Sequence, residues 1–215
     1  KKIGKEIGII NLGMAGNGQL IEYASLREYA ENEEIEKIIL FFWFNDFSNL
    51  LNEKKNKILI RYMRDESFSQ NLKHKQDEIN DIVKSKLQKE MTSYTNISIL
   101  SYIKNFLFLK YTRSLIRNST LNRHSRYDSI NKDLIDYHLK VLTKIKTFSK
   151  KNDTELIIFY IPYYKDKNFN DYVYNLVKVN ADKANIELVN IKDYYKKSGV
   201  DKKIKLLYPN KSLHN

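Results

Sequence analysis

Three groups that could serve acyl-transfer chemistry stand far apart in the sequence. A glycine-rich turn centred on Gly16 follows one apolar run, Asn45 follows a second, and His214 lies near the end of the chain. Glycine lets a backbone N–H approach a ligand closely, a carboxamide donates hydrogen bonds, and an imidazole can accept a proton near neutral pH. If they converge, these groups could bind an oxyanion and move a proton.

Each of these groups also has a structural interpretation. Gly13, Gly16 and Gly18 would suit a tight strand–helix turn, and their spacing matches neither a P-loop nor a dinucleotide-binding fingerprint. An asparagine after a buried strand is commonly a turn or cap residue. Asp46 or Ser48 suits an N-cap, and for Asp46 this role is favoured over acid catalysis. Only convergence of the three groups would favour catalysis.

The elements that must position these groups are strands that alternate with amphipathic helices. Apolar runs predict strands at 7–10, 37–44, 155–161 and 186–191. Apolar residues at steps of three and four predict helices at 20–30, 130–148 and 168–184. This alternation predicts an α/β fold, in which a parallel sheet carries helices on both faces. Because the carboxyl ends of parallel strands share one edge, we expect Gly16, Asn45 and His214 to meet there.

On these residues the chain resembles the SGNH (GDSL-type) hydrolases, a family of serine esterases, lipases and carbohydrate O-deacetylases with a three-layer α/β/α flavodoxin-like fold. The residues Asn-Leu-Gly-Met-Ala-Gly at 11–16 are similar to the family's second block, Asn-x-x-x-x-Gly. The residues Phe-Asn-Asp at 44–46 are similar to the third block, with Phe44 in place of the usual glycine. His214, followed by Asn215, resembles the histidine of the last block.

The resemblance implies roles for these residues in ester hydrolysis. The backbone N–H of Gly16 and the side chain of Asn45 would be the oxyanion donors, and His214 would be the general base. The nucleophilic serine of the family's Gly-Asp-Ser block is absent, and the resemblance places it upstream of Lys1. The serines within the chain lack the strand–turn context of that block; those considered are Ser25, Ser48, Ser67 and Ser212.

The acid of the catalytic triad has no match at its usual position. That position, three residues before His214, is occupied by Lys211. The sequence leaves two possibilities for the triad acid. Either another acid serves, with Asp193 and Asp201 the nearest in sequence, or the histidine works in a dyad without an acid.

Composition restricts the partners and cofactors. The formal charge is +12, but the lysines are spread along the chain among many Asn, Ile and Tyr residues, so we expect no nucleic-acid partner. The absence of cysteine excludes disulfides and thiolate metal sites. Because His74, His124 and His138 also lack metal-ligand spacing, no metal and no cofactor are expected. His74 and His124 are expected to be solvated, and His138 is expected to be a helix residue near the core.

Membrane association is expected only through segments outside the chain. No signal peptide or membrane span is visible in the sequence. An apolar stretch at 97–116 contains three basic residues, and it fits a helix packed on its own domain better than one on a membrane surface. By the resemblance, the cell envelope or periplasm is favoured over the cytoplasm.

The sequence therefore predicts a single SGNH-hydrolase-like domain over 1–215, truncated at both ends, with a helical insertion at about 55–150. By the resemblance, the parent protein is a bacterial serine esterase that acts on a small-molecule or polysaccharide ester, with a carbohydrate or lipid as the alcohol or acyl component. This piece alone would be inactive. Two alternatives stay open: a polysaccharide O-acetyltransferase or deacetylase of the cell envelope, and a non-catalytic SGNH-like binding module.

Overall fold

The chain divides into two compact units, each described here by itself. The computed structural model describes residues 8–14, 16–95, 130–162 and 167–193. The first unit combines Lys1–Phe68 with Asn131–Asn215, and the second is Ser69–Ile130. The sheet and the candidate site both belong to the first unit.

The described part of the first unit is a mixed α/β structure around a small parallel sheet. Its strands are β1 (Lys37–Phe42), β2 (Glu155–Tyr160) and β3 (Glu187–Asn190). Its helices are α1 (Gln19–Tyr29), α2 (Asp46–Glu53), α3 (Lys57–Arg64), α5 (Lys132–Lys151) and α6 (Lys167–Lys183). These bounds confirm an α/β fold built from alternating strands and helices.

The sheet has the strand order β1-β2-β3, with every described pair parallel. In the register of β1 and β2, Lys37 lies opposite Glu155 and Phe42 opposite Tyr160. The strands form because their runs are rich in β-branched and aromatic residues, which favour pleated, buried surfaces. Lys37 and Glu155, which start the two strands, also form an ion pair, with Lys37 Nζ 2.7 Å from a carboxylate oxygen of Glu155.

One face of the sheet, the covered face, packs against helices. It consists of Ile38, Leu40, Phe42, Leu156, Ile158 and Tyr160, all of them buried. The Phe42 ring lies 5.4 Å from the Phe47 ring of α2 and 5.5 Å from the His138 ring of α5, measured between centroids. The Tyr160 hydroxyl lies 2.9 Å from Asn170 Oδ1 of α6 and donates to it. Burial of each such aromatic or aliphatic side chain contributes about 1.5–3 kcal/mol to the stability of the folded state.

The opposite face, the open face, is also apolar but is less enclosed. It is formed by Ile39, Phe41, Ile157, Phe159, Glu187 and Val189, which alternate with the residues of the covered face. The Phe41 and Phe159 rings lie 5.8 Å apart. Nevertheless, Ile39 is 46% and Phe41 55% exposed. Two large apolar side chains of β1 are therefore half open to solvent.

The strand predicted at 7–10 is not formed by the residues that the structure describes there. Residues 8–10 carry no strand, and Ile9 and Ile10 are 85% and 53% exposed. A β-branched run becomes a strand only where a neighbouring strand satisfies its backbone and a packed layer buries its side chains. Neither condition is met at Ile9 and Ile10, so the prediction is wrong for this segment.

The second unit is described only in part. It contains a short 3₁₀ turn (Lys73–Lys75) and a long helix, α4 (Gln76–Thr95), on which Ile82, Val83 and Leu87 are half-exposed. The apolar stretch at 97–116 lies outside the described residues. Among the described helices of both units, none is long and apolar enough to cross a membrane.

The second unit is narrower than the insertion predicted at about 55–150, because helices at both ends of that range pack within the first unit. On α3, Tyr62 is fully buried, and its hydroxyl donates to Glu28 Oε1 of α1 at 2.5 Å. On α5, Val141 and Ile145 are fully buried. The helix α5 begins after Asn131, whose side chain accepts a hydrogen bond from the N–H of Leu134 at 2.9 Å.

Candidate functional site

The glycine-rich turn adopts a conformation that requires glycine at one position. Gly16 has a φ of +87°, in the left-handed region that residues with a Cβ rarely adopt. Before it, the Asn11 side chain accepts the N–H of Gly13 at 3.0 Å, which closes an Asx turn. After it, the N–H of Asn17 donates to the carbonyl of Met14 at 3.2 Å. The turn therefore has a steric requirement for glycine at position 16, and this residue is exposed.

A carboxylate from α2 caps the helix that follows the turn. The N–H of Gly18 donates to Glu53 Oε1 at 2.5 Å, and the N–H of Leu20 donates to Glu53 Oε2 at 3.1 Å. These are among the backbone groups that the first turn of α1 leaves without helical partners. Gly18 is needed for this approach, because a Cβ there would lie 2.9 Å from Glu53 Oε2.

The first turn of α2 also contacts the glycine-rich turn. The side-chain amide of Asn49 donates to the carbonyl of Asn17 at 3.0 Å. The N–H of Asn49 in turn donates to the carbonyl of Asn45, one helical turn earlier, at 3.0 Å. The structure thus brings the segment that contains Gly16 next to the helix that Asn45 begins.

Asn45 is the N-cap of α2, so the prediction that Asp46 or Ser48 is the cap is wrong. The Asn45 side chain makes no capping hydrogen bond and is half-buried. Asp46 is instead the first residue of the helix, and its Oδ2 accepts the N–H of Trp43 at 2.7 Å. The N–H of Asp46 donates back to the carbonyl of Trp43 at 3.0 Å. This reciprocal pair ends β1 at Phe42, two residues earlier than predicted.

The general base and one of the two candidate triad acids, Asp201, fall outside the part of the chain that the structure describes. His214 lies there, together with Lys211, Ser212 and Asp201. Asp193 is described and is exposed at the end of the chain segment that follows β3. The structure therefore brings two of the three predicted site segments together, those of Gly16 and Asn45.

The remaining candidate serines lie outside any strand–turn context, as expected. Ser25 and Ser48 are inside the helices α1 and α2. Ser67 lies in a turn after α3, where its hydroxyl donates to Asp65 Oδ1 at 2.6 Å. None of these three described serines follows a strand.

Three carboxyl groups of α1 and α2, those of Glu22, Asp46 and Glu53, lie close together, a cluster that the sequence analysis did not single out. Burial raises the pKa of Glu22 to about 8, and the charges of Asp46 and Glu53 add to this increase. Burial likewise raises the pKa of Asp46 to about 7, although its hydrogen bond from the Trp43 N–H opposes the change. Burial also raises the pKa of Glu53, against the opposing effect of the backbone N–H groups that it accepts.

The cluster also includes an amide side chain. Gln19 is 2% exposed, and its side chain lies close enough to Asp46 to lower the pKa of that carboxyl, against the effect of burial. Glu22 Oε2 is buried and has no hydrogen-bond partner within the described structure. No local sequence pattern indicates this cluster, because its members come from two helices that are separated along the chain by the whole of β1.

The described histidines do not assemble a metal site. His138 is fully buried, and its Nδ1 accepts a hydrogen bond from Asn180 Nδ2 at 2.9 Å. Burial lowers the pKa of His138 to about 3, so the ring is neutral and serves the core, as its position in the helical pattern predicts. His74 is exposed. Within the described ranges, no group of three or more acidic or histidine side chains could hold a metal ion.

Comparison with known proteins adds no assignment. The chain matches no protein-family model, no curated protein and no solved structure.

Proposed function

We propose that the chain is the larger part of an SGNH-type serine esterase domain that acts on a carbohydrate or lipid ester. Its sheet would then be the centre of a three-layer, flavodoxin-like fold. The observation that carries the proposal is the hydrogen bond between the Asn49 amide and the Asn17 carbonyl. It joins the turn of Gly16 to the helix of Asn45, which are the two segments that would supply the oxyanion donors.

The proposed reaction begins with a serine supplied by a segment upstream of Lys1. His214 takes the proton of the serine hydroxyl as the oxygen attacks the ester carbonyl. The carbonyl oxygen becomes an oxyanion, which accepts hydrogen bonds from the Gly16 N–H and the Asn45 side-chain amide. Collapse of this intermediate expels the alcohol, which receives the proton from His214. Water then attacks the acyl-serine by the same route and releases the carboxylic acid.

Two features of the described residues support this assignment. The Asn45 side chain is not used to cap α2, although Asn45 occupies the N-cap position where asparagine usually serves that purpose. Gly16 is exposed and Asn45 is half-buried, so a substrate can approach both from solvent. An oxyanion donor needs this combination of a fixed backbone and an accessible polar hydrogen.

The test is hydrolysis of p-nitrophenyl acetate by the longer protein that includes the upstream segment. We expect the substitution Asn45→Ala to lower kcat about 100- to 1,000-fold, the usual effect of losing one oxyanion donor. The matched control is Asn52→Ala, because Asn52 is an exposed asparagine of the same helix. Full activity in the Asn45→Ala protein would show that the oxyanion assignment is wrong.

The nucleophile is tested separately. Reading the gene upstream of Lys1 should reveal a Gly-Asp-Ser block, and the chain without that block should hydrolyse no ester. An upstream sequence without such a serine would contradict the esterase and leave a non-catalytic module. Addition of a sugar acceptor to the active protein distinguishes acyl transfer from hydrolysis, since transfer would yield an acylated sugar.

A further inference from the structure

Helix α2 holds the glycine-rich turn at two points along its length. Near its start, the Asn49 amide donates to the carbonyl of Asn17 at 3.0 Å. At its end, the carboxylate of Glu53 accepts the N–H groups of Gly18 and Leu20 at 2.5 and 3.1 Å. Three hydrogen bonds from one helix therefore fix four consecutive residues of backbone directly after Gly16.

The same helix begins at Asn45. An α-helix of 8 residues is short and stiff, so the position of its N-cap is set by whatever anchors the rest of the helix. Because Asn49 and Glu53 anchor α2 to the backbone after Gly16, they also fix the separation between the Gly16 N–H and the Asn45 side chain. Donors to a single oxyanion must be held in this way before the reaction begins.

The contact between Glu53 and Gly18 is specific to these two residue types. A Cβ at Gly18 would come within 2.9 Å of one carboxylate oxygen of Glu53 and 3.0 Å of the other. Each carboxylate oxygen of Glu53 accepts one backbone N–H. A glutamine side chain has a single acceptor oxygen, so it could accept only one of these two N–H groups. The Glu53 carboxylate also lies at the positive end of the α1 dipole, where negative charge is favourable.

We propose that Glu53 is a positioning residue of the oxyanion site, which holds the Gly16–Leu20 backbone at the distance from Asn45 at which both donors reach one carbonyl oxygen. The inference rests on the proposed esterase function. It adds a residue for which the family resemblance provides no counterpart. Glu53 itself touches neither the substrate nor the reacting atoms.

The first test is Glu53→Gln in the longer protein, with Glu34→Gln as the control because Glu34 is an exposed glutamate in the loop after α1. We expect kcat to fall about ten- to a hundred-fold, the effect of losing one hydrogen bond to a charged group. KM should stay unchanged, because the lost interaction matters only in the transition state. Hydrogen exchange at the Gly18 amide should accelerate about tenfold or more.

The second test is a double-mutant cycle. Gly18→Ala would push the Glu53 carboxylate away, so we expect it to lower kcat as Glu53→Gln does, while Gly8→Ala should have no effect because Gly8 has open space around its α-carbon. The two changes break the same contact, and their combined effect should be smaller than the sum of the separate effects. If Glu53→Gln fails to fold, Asn49→Ala removes the other anchor of the turn and should lower kcat in the same way.

The outcomes separate this inference from the proposed function. If Asn45→Ala loses activity but Glu53→Gln keeps wild-type kcat and wild-type exchange at Gly18, then the positioning role is wrong and the esterase assignment stands. If Glu53→Gln accelerates exchange at Gly18 while Asn45→Ala retains full activity, then the oxyanion assignment is wrong and the positioning role falls with it. Fully additive effects in the cycle would also overturn the positioning role.

Discussion

Glu22 is an acidic residue whose side chain lies near two other acidic side chains. Its carboxyl lies near those of Asp46 and Glu53, and burial raises its pKa to about 8. In the unfolded chain the same group titrates near its ordinary value of 4.5. Between these two values the folded state holds a proton that the unfolded state has released. Unfolding is therefore favoured as the pH rises through this range.

We expect the stability contributed by Glu22 to be fully present below about pH 4.5 and to be lost as the pH rises through about 8. The substitution Glu22→Gln removes the titration, so the variant should lose less stability than the parent chain between pH 5 and pH 8. Over this pH range, the losses in free energy of unfolding of the two proteins should differ by on the order of a few kcal/mol, because each unit of pKa change corresponds to about 1.4 kcal/mol.

Urea unfolding at pH 5, 6.5 and 8 measures this effect. Glu34→Gln is the control, because the exposed Glu34 should leave the pH dependence of the parent chain unchanged. An identical pH dependence in the Glu22→Gln and parent proteins would show that Glu22 is ionised in the folded state.

Residue types alone indicated some of these features but not others. The left-handed conformation of Gly16 follows from a glycine cluster in the turn directly before α1. The burial of His138 follows from its place in a helical apolar pattern. In contrast, the hydrogen bond from Gly18 to Glu53 joins residues 35 positions apart, and neither residue is unusual in its own segment. Such a contact is set by tertiary packing, for which a single sequence gives no signal.

At the scale of elements, the strands that have neighbours were predictable and the segment without a neighbour was not. The predicted bounds of β1 and β2 differ from the observed bounds by at most two residues, because these two strands pair with each other in the sheet. The run at Ile9 and Ile10 has the same composition but remains exposed. Composition therefore predicts where a strand can form, whereas pairing decides whether it does.

The longest helix of the first unit depends on its N-cap. Asn131 accepts the N–H of Leu134 at 2.9 Å and thereby satisfies one of the free donors of α5. We expect Asn131→Ala to destabilise the chain by about 1 kcal/mol, the usual cost of removing such a cap. Urea unfolding measures this change, with Asn52→Ala as the control at an exposed site. Equal stability of the Asn131→Ala and parent chains would show that the cap is not needed.

At the scale of the whole first unit, the two faces of the sheet differ in exposure. The covered face is buried against α2, α5 and α6, whereas Ile39 and Phe41 on the open face are 46% and 55% exposed. Adjacent apolar side chains on a strand are a known route to association between molecules. We therefore expect the isolated chain to self-associate, and its midpoint of thermal unfolding to rise with protein concentration.

The variant Phe41→Lys should abolish most of this concentration dependence, because it replaces an exposed apolar side chain of the open face with a charge. Ile58→Lys is the matched control, since Ile58 is 46% exposed, comparable to the 55% of Phe41, but lies on α3 and not in the sheet. Thermal scans over a hundred-fold range of concentration, with light scattering, make the comparison. The expectation fails if the parent chain stays monomeric and its midpoint stays constant over that range.

The half-open state of Ile39 and Phe41 has a consequence for the energetics of any larger assembly. Each square ångström of apolar surface that is later removed from water contributes about 25 cal/mol. Whatever shields these two side chains will stabilise the sheet, whereas Gly16 and Asn45, the proposed oxyanion donors, lie outside its strands. Substitutions on the open face should then change thermal resistance and leave the proposed ester chemistry unchanged.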